Sequence, residues 1–120
     1  MFDVSETPLK ESIKIIYIDY DNKKTYIIPD FRITDENYKS LLRTDDFIAR
    51  VEDLCGMHFP MFVQKKDGTK LSFRNIKINY NCIISSMRAL SEPGKYKITS
   101  LDDREIKHIT DNLNKIVDFN

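Results

Sequence analysis

Two cysteines and two histidines are the side chains of this sequence best suited to nucleophilic, metal-binding or acid–base chemistry near neutral pH. Cys55 and His58 have the C-x-x-H spacing that could provide half of a zinc site. The other half would have to combine Cys82 with His108, which are distant from each other in sequence. A Cys55–His58 nucleophile pair would need an orienting group and an oxyanion loop, and the sequence has no pattern for either. We therefore interpret Cys55 as a buried helix residue and His58 as a loop residue.

Carboxylates are abundant, yet their positions indicate structural roles. Asp45 and Asp46 lie where one helix is predicted to begin. Asp102 and Asp103 lie at the start of another, and acids at such places stabilise a helix N-terminus. The sequence contains neither of the glycine-rich phosphate-binding loops, G-x-x-x-x-G-K-[ST] or G-x-G-x-x-G, and has three glycines in all. We therefore predict a protein that is not an enzyme and that uses no metal or cofactor.

Charge is distributed unevenly along a chain that is neutral overall, with 19 basic and 19 acidic residues. Residues 61–100 contain eight basic and two acidic residues, a balance of +6, whereas residues 1–60 balance at −4 and residues 101–120 at −2. The neutral total argues against a protein that coats nucleic acid through many uncompensated cations. The basic residues of the central segment are the candidate partner-binding residues: Lys65, Lys66, Lys70, Arg74, Lys77, Arg88, Lys95 and Lys97.

This basic segment has two interpretations. On an alternating strand, Lys95 and Lys97 lie on one face, while Tyr96 and Ile98 point to the core. The basic residues could then be the solvated face of a sheet and nothing more. Alternatively, they form a surface for a protein partner with an acidic face, which would accelerate association and make binding sensitive to salt. We favour the second interpretation because the charge is so unevenly segregated.

The first half of the chain predicts a β-hairpin followed by two helices. Residues 13–20 are apolar on both sides and rich in Ile and Tyr, which is typical of a central strand, and residues 25–28 follow as a second strand after a polar turn. A short helix is predicted over 35–43. Apolar residues recur at helical spacing over 47–54, just before Gly56, so this segment is predicted to be the central helix.

The second half predicts a further hairpin, a late strand and a last helix. The Asp-Gly dipeptide favours the hairpin turn, and a capping-box pattern at Ser100–Asp103 favours the last helix. The predicted elements are a strand at 61–65, a turn at Asp67–Gly68, a strand at 70–74, a short helix at 83–90, a strand at 95–98 and a helix at 101–117. The order β-β-α-β-β-short α-β with a C-terminal helix predicts an α+β fold, a ubiquitin-like β-grasp with one sheet face covered.

The length of 120 residues suits one domain. We expect residues 1–11 to be a flexible segment and residues 12–120 to form a single domain. The longest apolar run, Ile15–Ile18, is far too short to span a membrane, and no apolar stretch near the N-terminus has the length of a signal peptide. Two cysteines are too few for a disulfide framework. We therefore expect a soluble cytoplasmic protein that does not bind membranes.

Three segments of the second half resemble the doublecortin domain family: Phe62–Lys70, Ile84–Leu90 and Pro93–Ile98. In that family a strand ends at an Asp-Gly turn, a short helix with serines and apolar residues ends in Leu, and Gly-x-Tyr begins the last strand. The first half is compatible with the family, because its opening hairpin and the predicted helix at 47–54 occur in the same order. The resemblance extends over about Ile13–Ser100.

The resemblance implies a ubiquitin-like fold and a role as a non-enzymatic protein-interaction domain. Many doublecortin domains bind microtubules, whose tubulin surface is acidic, and others act in centriole or cytoskeletal scaffold assembly. The basic central segment fits such a partner, and a cytoskeletal location would follow. The chain departs from the family in its neutral total charge, in the additional helix at 35–43 and in the longer stretch at 72–82.

Two other functions remain as alternatives. Small ubiquitin-like adaptor domains pair a basic face with the acidic cluster of a partner domain, and Lys14 on the first strand resembles the lysine that their basic members use. A small single-stranded nucleic-acid binder could stack bases on Phe62, Phe73 and Tyr80 among the lysines. The positions of these aromatic residues on strands favour core packing over base stacking.

Overall fold

The computed structural model describes residues 12–68 and 77–119. The predicted flexible segment 1–11 and the predicted strand 70–74 lie outside the described residues. The strands are β1 (Ser12–Asp19), β2 (Lys24–Arg32), β3 (Phe47–Leu54), β4 (Met57–Gln64), β5 (Cys82–Ile84), β6 (Ser86–Ala89) and β7 (Tyr96–Thr99). The helices are α1 (Asp35–Leu42), α2 (Lys65–Gly68), α3 (Asp103–Asp111) and α4 (Leu113–Ile116).

Five strands form the main sheet in the order β2-β1-β5-β4-β3, and each neighbouring pair is antiparallel. β6 and β7 form a separate two-stranded sheet. The predicted opening hairpin is confirmed as β1 and β2, and the predicted late strand is present as β7. Among the described strands β7 pairs only with β6, so it does not extend the main sheet.

The main sheet is covered on both faces. Ile18 of β1 packs in a buried cluster with Ile109 of α3, and Tyr17 of β1 packs in a second cluster with Tyr38 of α1. Because side chains alternate between the two faces of a strand, the apolar run of β1 contributes to both clusters. This confirms the central-strand prediction for residues 13–20. The expectation of a single covered face is wrong, because the C-terminal helices occupy the second face.

The predicted central helix at 47–54 is wrong, because these residues form the edge strand β3 and pair with β4 along its full length. Cys55 and Gly56 connect the two strands with φ angles of 56° and 94°. A two-residue loop with both φ angles positive is a type I′ hairpin turn, whose twist matches that of the strands. Helix C-termini also favour a glycine of positive φ, so Gly56 did not distinguish the two structures.

The helix between the two hairpins is α1, and the prediction of a short helix at 35–43 is confirmed. Thr34 is its N-cap and accepts a hydrogen bond from the Asn37 N–H at 3.1 Å. Tyr38 and Leu42 are its buried residues and lie on one side of the helix, because they are four positions apart. α1 therefore covers the sheet face on which the second cluster packs.

The predicted short helix at 83–90 is also wrong. Its residues are divided between β5 and β6, and all three residues of β5 are buried between β1 and β4. A central strand position satisfies the backbone groups of such an apolar run on both sides, which outweighs its helical spacing. The Asp67–Gly68 dipeptide belongs to α2 and does not form a hairpin turn.

The C-terminal helix predicted at 101–117 is present as α3 and α4, which meet at Asn112. Its capping box consists of Asp102 and Glu105, two residues further along than the predicted Ser100–Asp103 pair. The Asp102 carboxylate accepts the Glu105 N–H at 2.7 Å, and the Glu105 carboxylate accepts the Asp102 N–H at 3.0 Å. The helices together with the antiparallel sheet confirm the α+β class.

Candidate interaction surface

The β6–β7 hairpin, residues 86–99, is the most exposed ordered element among the described residues, and we call it the basic hairpin. All ten residues from 88 to 97 are exposed. At its tip, the Leu90 N–H donates a hydrogen bond of 2.9 Å to the Lys95 carbonyl. Gly94 lies in the turn between them with a φ of 78°. Two of its exposed side chains are large and apolar, since Leu90 is 45% exposed and Tyr96 is 55% exposed.

The two faces of the basic hairpin differ in chemistry. Arg88 lies directly opposite Lys97, so two cations are neighbours on one face. Lys95 shares that face because it is two residues from Lys97. The other face carries Ala89 opposite Tyr96. Like charges directly opposite each other destabilise an isolated ribbon, so this arrangement opposes the stability of the hairpin itself.

The base of the basic hairpin is held by contacts with α3 and β1. The Ser86 hydroxyl donates a hydrogen bond of 2.7 Å to the Glu105 carboxylate, whose other oxygen completes the capping box of α3. The Ser100 hydroxyl accepts the Lys14 N–H at 2.8 Å, and the Leu101 N–H donates to the Lys14 carbonyl at 2.9 Å. Both ends of the hairpin are therefore anchored to the domain while its tip projects.

The remaining basic candidates lie elsewhere. Lys65 and Lys66 are exposed on α2, at the end of β4, and Lys65 Nζ is 3.8 Å from an Asp46 carboxylate oxygen. β5 ends beside Met61, which is four residues before Lys65, or about 13 Å along an extended chain. β6 then continues away from α2. The structure thus separates the α2 lysines from the basic hairpin.

The other members of the predicted basic set are Lys77, Lys70 and Arg74. Lys77 is exposed and precedes Ile78, which forms a parallel bridge with Val117 near the end of the chain. Lys70 and Arg74 lie outside the described residues. Of the eight predicted partner-binding residues, the structure therefore brings together Arg88, Lys95 and Lys97.

Lys14, the alternative adaptor residue, is engaged within the domain. Its side chain is 36% exposed, and its Nζ lies 3.9 Å from an Asp103 carboxylate oxygen in the first turn of α3. Its main-chain N–H and carbonyl bind the Ser100–Leu101 segment. Lys14 consequently connects β1 to the start of the C-terminal helices.

The cysteine and histidine residues do not converge. Cys55 is exposed in the β3–β4 turn, so its predicted place in a buried helix is wrong, and His58 is exposed on β4. Cys82 is fully buried, and burial raises the pKa of its thiol. His108 Nε2 donates a hydrogen bond of 2.8 Å to the Leu54 carbonyl. Within residues 12–68 and 77–119, no group of three Cys, His, Asp or Glu side chains is placed to hold a metal ion.

The aromatic residues proposed for base stacking are mostly inside the domain. Phe62 is buried and stacks on Tyr38, with ring centroids 4.2 Å apart. Tyr80 is half-buried, and burial is the main reason that its pKa is raised. Phe73 lies outside the described residues. Tyr96, which the alternation of the sequence assigned to the core, is instead 55% exposed.

An open depression of about 520 Å³ lies beside α3 and contains a second set of cations. Within it, Lys107 Nζ is 2.6 Å from an Asp111 carboxylate oxygen, and this hydrogen bond raises the pKa of Lys107. The pair neutralises part of the charge of the depression. The lining residues are Met57, Arg104, Lys107, His108, Asp111 and Asn112.

Among the described residues, Asp19 is the most buried carboxylate, and its contacts connect elements of the fold. It is 5% exposed, accepts the Asn22 side-chain amide at 2.8 Å, and lies 3.4 Å from the Arg43 guanidinium. Arg43 follows α1 in a left-handed conformation with φ of 55°. The pair thus joins the end of α1 to the β1–β2 turn.

No protein-family model, curated protein or solved structure matches this chain. In the part of the chain that the structure describes, no helix is long and apolar enough to cross a membrane.

Proposed function

We propose that this protein is a non-enzymatic interaction domain that binds an acidic protein surface through the basic hairpin. The observation that carries this proposal is the run of ten exposed residues, 88–97, with Arg88, Lys95 and Lys97 on one face. Tyr96 and Leu90 add apolar contact area, and aromatic and Arg residues are the types that contribute most to binding at protein interfaces.

The electrostatics of the hairpin support an acidic partner. The repulsion between Arg88 and Lys97 is present in the free protein and is relieved when a carboxylate lies near both side chains. Because the cations are exposed, they attract an acidic partner over a distance and lose that attraction as salt screens it. Binding through the hairpin should therefore be fast and strongly salt-dependent.

The microtubule lattice is the specific acidic partner that we propose, in keeping with the resemblance to doublecortin domains. Two of the three resembling segments, Ile84–Leu90 and Pro93–Ile98, lie in β5 and the basic hairpin. The second of the three family features differs here, since Ser86–Ala89 is a strand and not a short helix. The β-grasp arrangement stays a prediction, and the proposal rests on the surface of the hairpin.

Charge reversal tests the proposal by co-sedimentation with polymerised tubulin across a salt series. The test variant carries Arg88→Glu, Lys95→Glu and Lys97→Glu. The control variant carries Lys24→Glu, Arg32→Glu and Lys115→Glu, which changes the net charge equally at exposed positions elsewhere. At about 0.2–1 kcal/mol for each of the three exposed ion pairs, the test variant should bind roughly 3- to 150-fold more weakly, while the control stays close to the original protein.

Two outcomes contradict the proposal in different ways. Equal weakening of both variants would show that only net charge matters and would remove the hairpin as the binding element. Failure of the unmodified protein to bind polymerised tubulin at low salt would exclude the microtubule as the partner. Circular dichroism of all three proteins checks that the substitutions leave the fold intact.

A further inference from the structure

The outer edge of β7 presents main-chain groups that a further strand could pair with. In an antiparallel ribbon, residue pairs that exchange hydrogen bonds alternate with pairs that do not. The Leu90 N–H binds the Lys95 carbonyl, so the Arg88–Lys97 pair, two positions along, is also hydrogen-bonded. The main-chain groups of Tyr96 and Ile98 therefore point away from β6.

This edge is open at Tyr96. No third strand joins the β6–β7 sheet among the described residues, and the Tyr96 side chain is 55% exposed. The edge of β6 is less accessible at its base, because the Ser85 N–H donates to the Pro60 carbonyl of β4 at 3.2 Å. A short two-stranded ribbon is marginal by itself, and a third strand would stabilise it.

The side chains of β7 and of Lys95, the residue before it, specify the residues that such a strand should carry. Lys95 and Lys97 lie on one face, two residues apart, and Tyr96 lies on the other. A neighbouring strand places alternate side chains beside each of these rows at the same spacing of about 6.6 Å. The complementary segment thus has acids at every second position, with β-branched or aromatic residues between them.

We infer that the acidic partner contributes an extended segment, with alternating acidic and apolar residues, that adds as a strand to the free edge of β7. The inference rests on the proposed function and specifies the form of its partner. Main-chain hydrogen bonds to Tyr96 and Ile98 give affinity, and the two rows of side chains give register and specificity. A folded acidic surface would use the cations without using these main-chain groups.

A synthetic peptide tests the inference directly. The probe is a capped peptide of about eight residues that alternates Glu and Val, a length typical of a strand. The control peptide has the same composition, with all Glu residues in one block and all Val residues in another. With binding measured by fluorescence polarisation of labelled peptide, the alternating peptide should bind about tenfold or more tightly than the block peptide, since only its acids and apolar residues lie on separate faces.

N-methylation separates strand addition from charge attraction. In an antiparallel addition, the residues beside Tyr96 and Ile98 are Val, and their N–H groups face β7, whereas the N–H groups of Glu face solvent. Methylation of the Val amides should weaken binding about tenfold or more, and methylation of the Glu amides should change it little. On binding, the Tyr96 amide should exchange with solvent more slowly, while the Lys97 amide, already bonded to β6, changes less.

The outcomes distinguish failure of this inference from failure of the proposed function. If the alternating, block and methylated peptides all bind alike and all are displaced by salt, strand addition is wrong and the hairpin binds acidic surfaces by charge alone. If no peptide binds while polymerised tubulin does, the partner presents a folded surface and strand addition is again wrong. Tighter binding of a single-stranded oligonucleotide than of any acidic peptide would overturn both proposals.

Discussion

The side chain of Glu105 contacts both the N-terminus of α3 and the base of the basic hairpin. Glu105 uses one carboxylate oxygen to accept the Asp102 N–H at 3.0 Å and the other to accept the Ser86 hydroxyl at 2.7 Å. One side chain therefore caps α3 and anchors the base of the hairpin. Substitution Glu105→Ala removes both contacts, whereas Ser86→Ala removes only the anchor and leaves the cap.

The expected magnitude follows from the two hydrogen bonds. Loss of a capping contact at a helix N-terminus costs about 1 kcal/mol. A hydrogen bond to a charged group contributes about 1.5–3 kcal/mol when buried. Ser86 is buried but Glu105 is only half-buried, which reduces the contribution of this bond to about 1 kcal/mol. We expect Glu105→Ala to lower the free energy of unfolding by about 2 kcal/mol and Ser86→Ala by about 1 kcal/mol.

Urea unfolding measures these changes, and amide hydrogen exchange locates them. In both variants, the ribbon amides of Arg88 and Lys97 should exchange at least about fivefold faster relative to the amides of β1 and β5, because about 1 kcal/mol of local stability is lost. Asp103→Ala is the matched control, since Asp103 is an exposed acid in the same helical turn whose ion pair is with Lys14 of β1. If the hairpin amides respond alike in Ser86→Ala, Glu105→Ala and Asp103→Ala, Glu105 is merely a helix cap and the reasoning is wrong.

Three other predictions concern buried and exposed side chains. The Tyr38 hydroxyl is buried and has no hydrogen-bond partner among the described residues, so Tyr38→Phe should stabilise the protein by about 1 kcal/mol in urea unfolding. Tyr17→Phe removes a 3.0 Å hydrogen bond to the Leu41 carbonyl and should destabilise the protein by about the same amount. Asn tolerates positive φ in a type I′ turn, so Cys55→Asn should raise the unfolding free energy by about 0.5 kcal/mol, whereas Cys55→Val should lower it. Burial raises the pKa of the Cys82 thiol, so the unfolded thiol ionises first as pH rises. The contribution of Cys82 to stability is therefore full below about pH 9 and declines above it, and Cys82→Ala should flatten that part of the plot of stability against pH. A thiol reagent should modify the exposed Cys55 in the native protein, whereas Cys82 should react only on unfolding.

The elements that the sequence predicted well are those in which local signals agree with the environment of the folded chain. β1 is apolar on both sides and lies in the middle of a sheet covered on both faces. α1 has a capping residue and two apolar residues four positions apart, and a helix with one buried side satisfies both. Local propensity and tertiary packing favour the same structure at these places, so the prediction needed no knowledge of distant contacts.

β3 shows why the remainder was not predictable from local pattern. Apolar residues at positions 47, 48, 51 and 54 fit a helix as well as an edge strand that contributes to both sheet faces. Phe47 packs with the α1 cluster and Ile48 with the opposite cluster, so the strand uses residues on either side. Whether residues 47–54 form a helix or a strand depends on β4, which pairs with β3 at eight positions. A short window of sequence does not show whether such a partner strand is present.

The sequence predicted the basic residues of the candidate site but not its exposed aromatic residue. The cations of residues 88–97 were identified from charge alone, but Tyr96 was assigned to the core because strand alternation assumes that one face of the strand is buried. In a ribbon of two strands both faces can be exposed near the tip. The Glu92-Pro93-Gly94 turn between two short alternating runs is the signal that indicates such a ribbon.

The neutral total charge of the chain carries little weight against an acidic partner. The basic hairpin has three basic residues and one acidic residue, Glu92, and therefore a local balance of +2. At physiological salt, charges separated by more than about 8 Å are largely screened from one another. A partner that contacts the exposed tip consequently responds to Arg88, Lys95 and Lys97 and far less to acids that lie more than this distance away. Binding should follow the charge of the hairpin, which is why the charge-matched control variant is the decisive comparison.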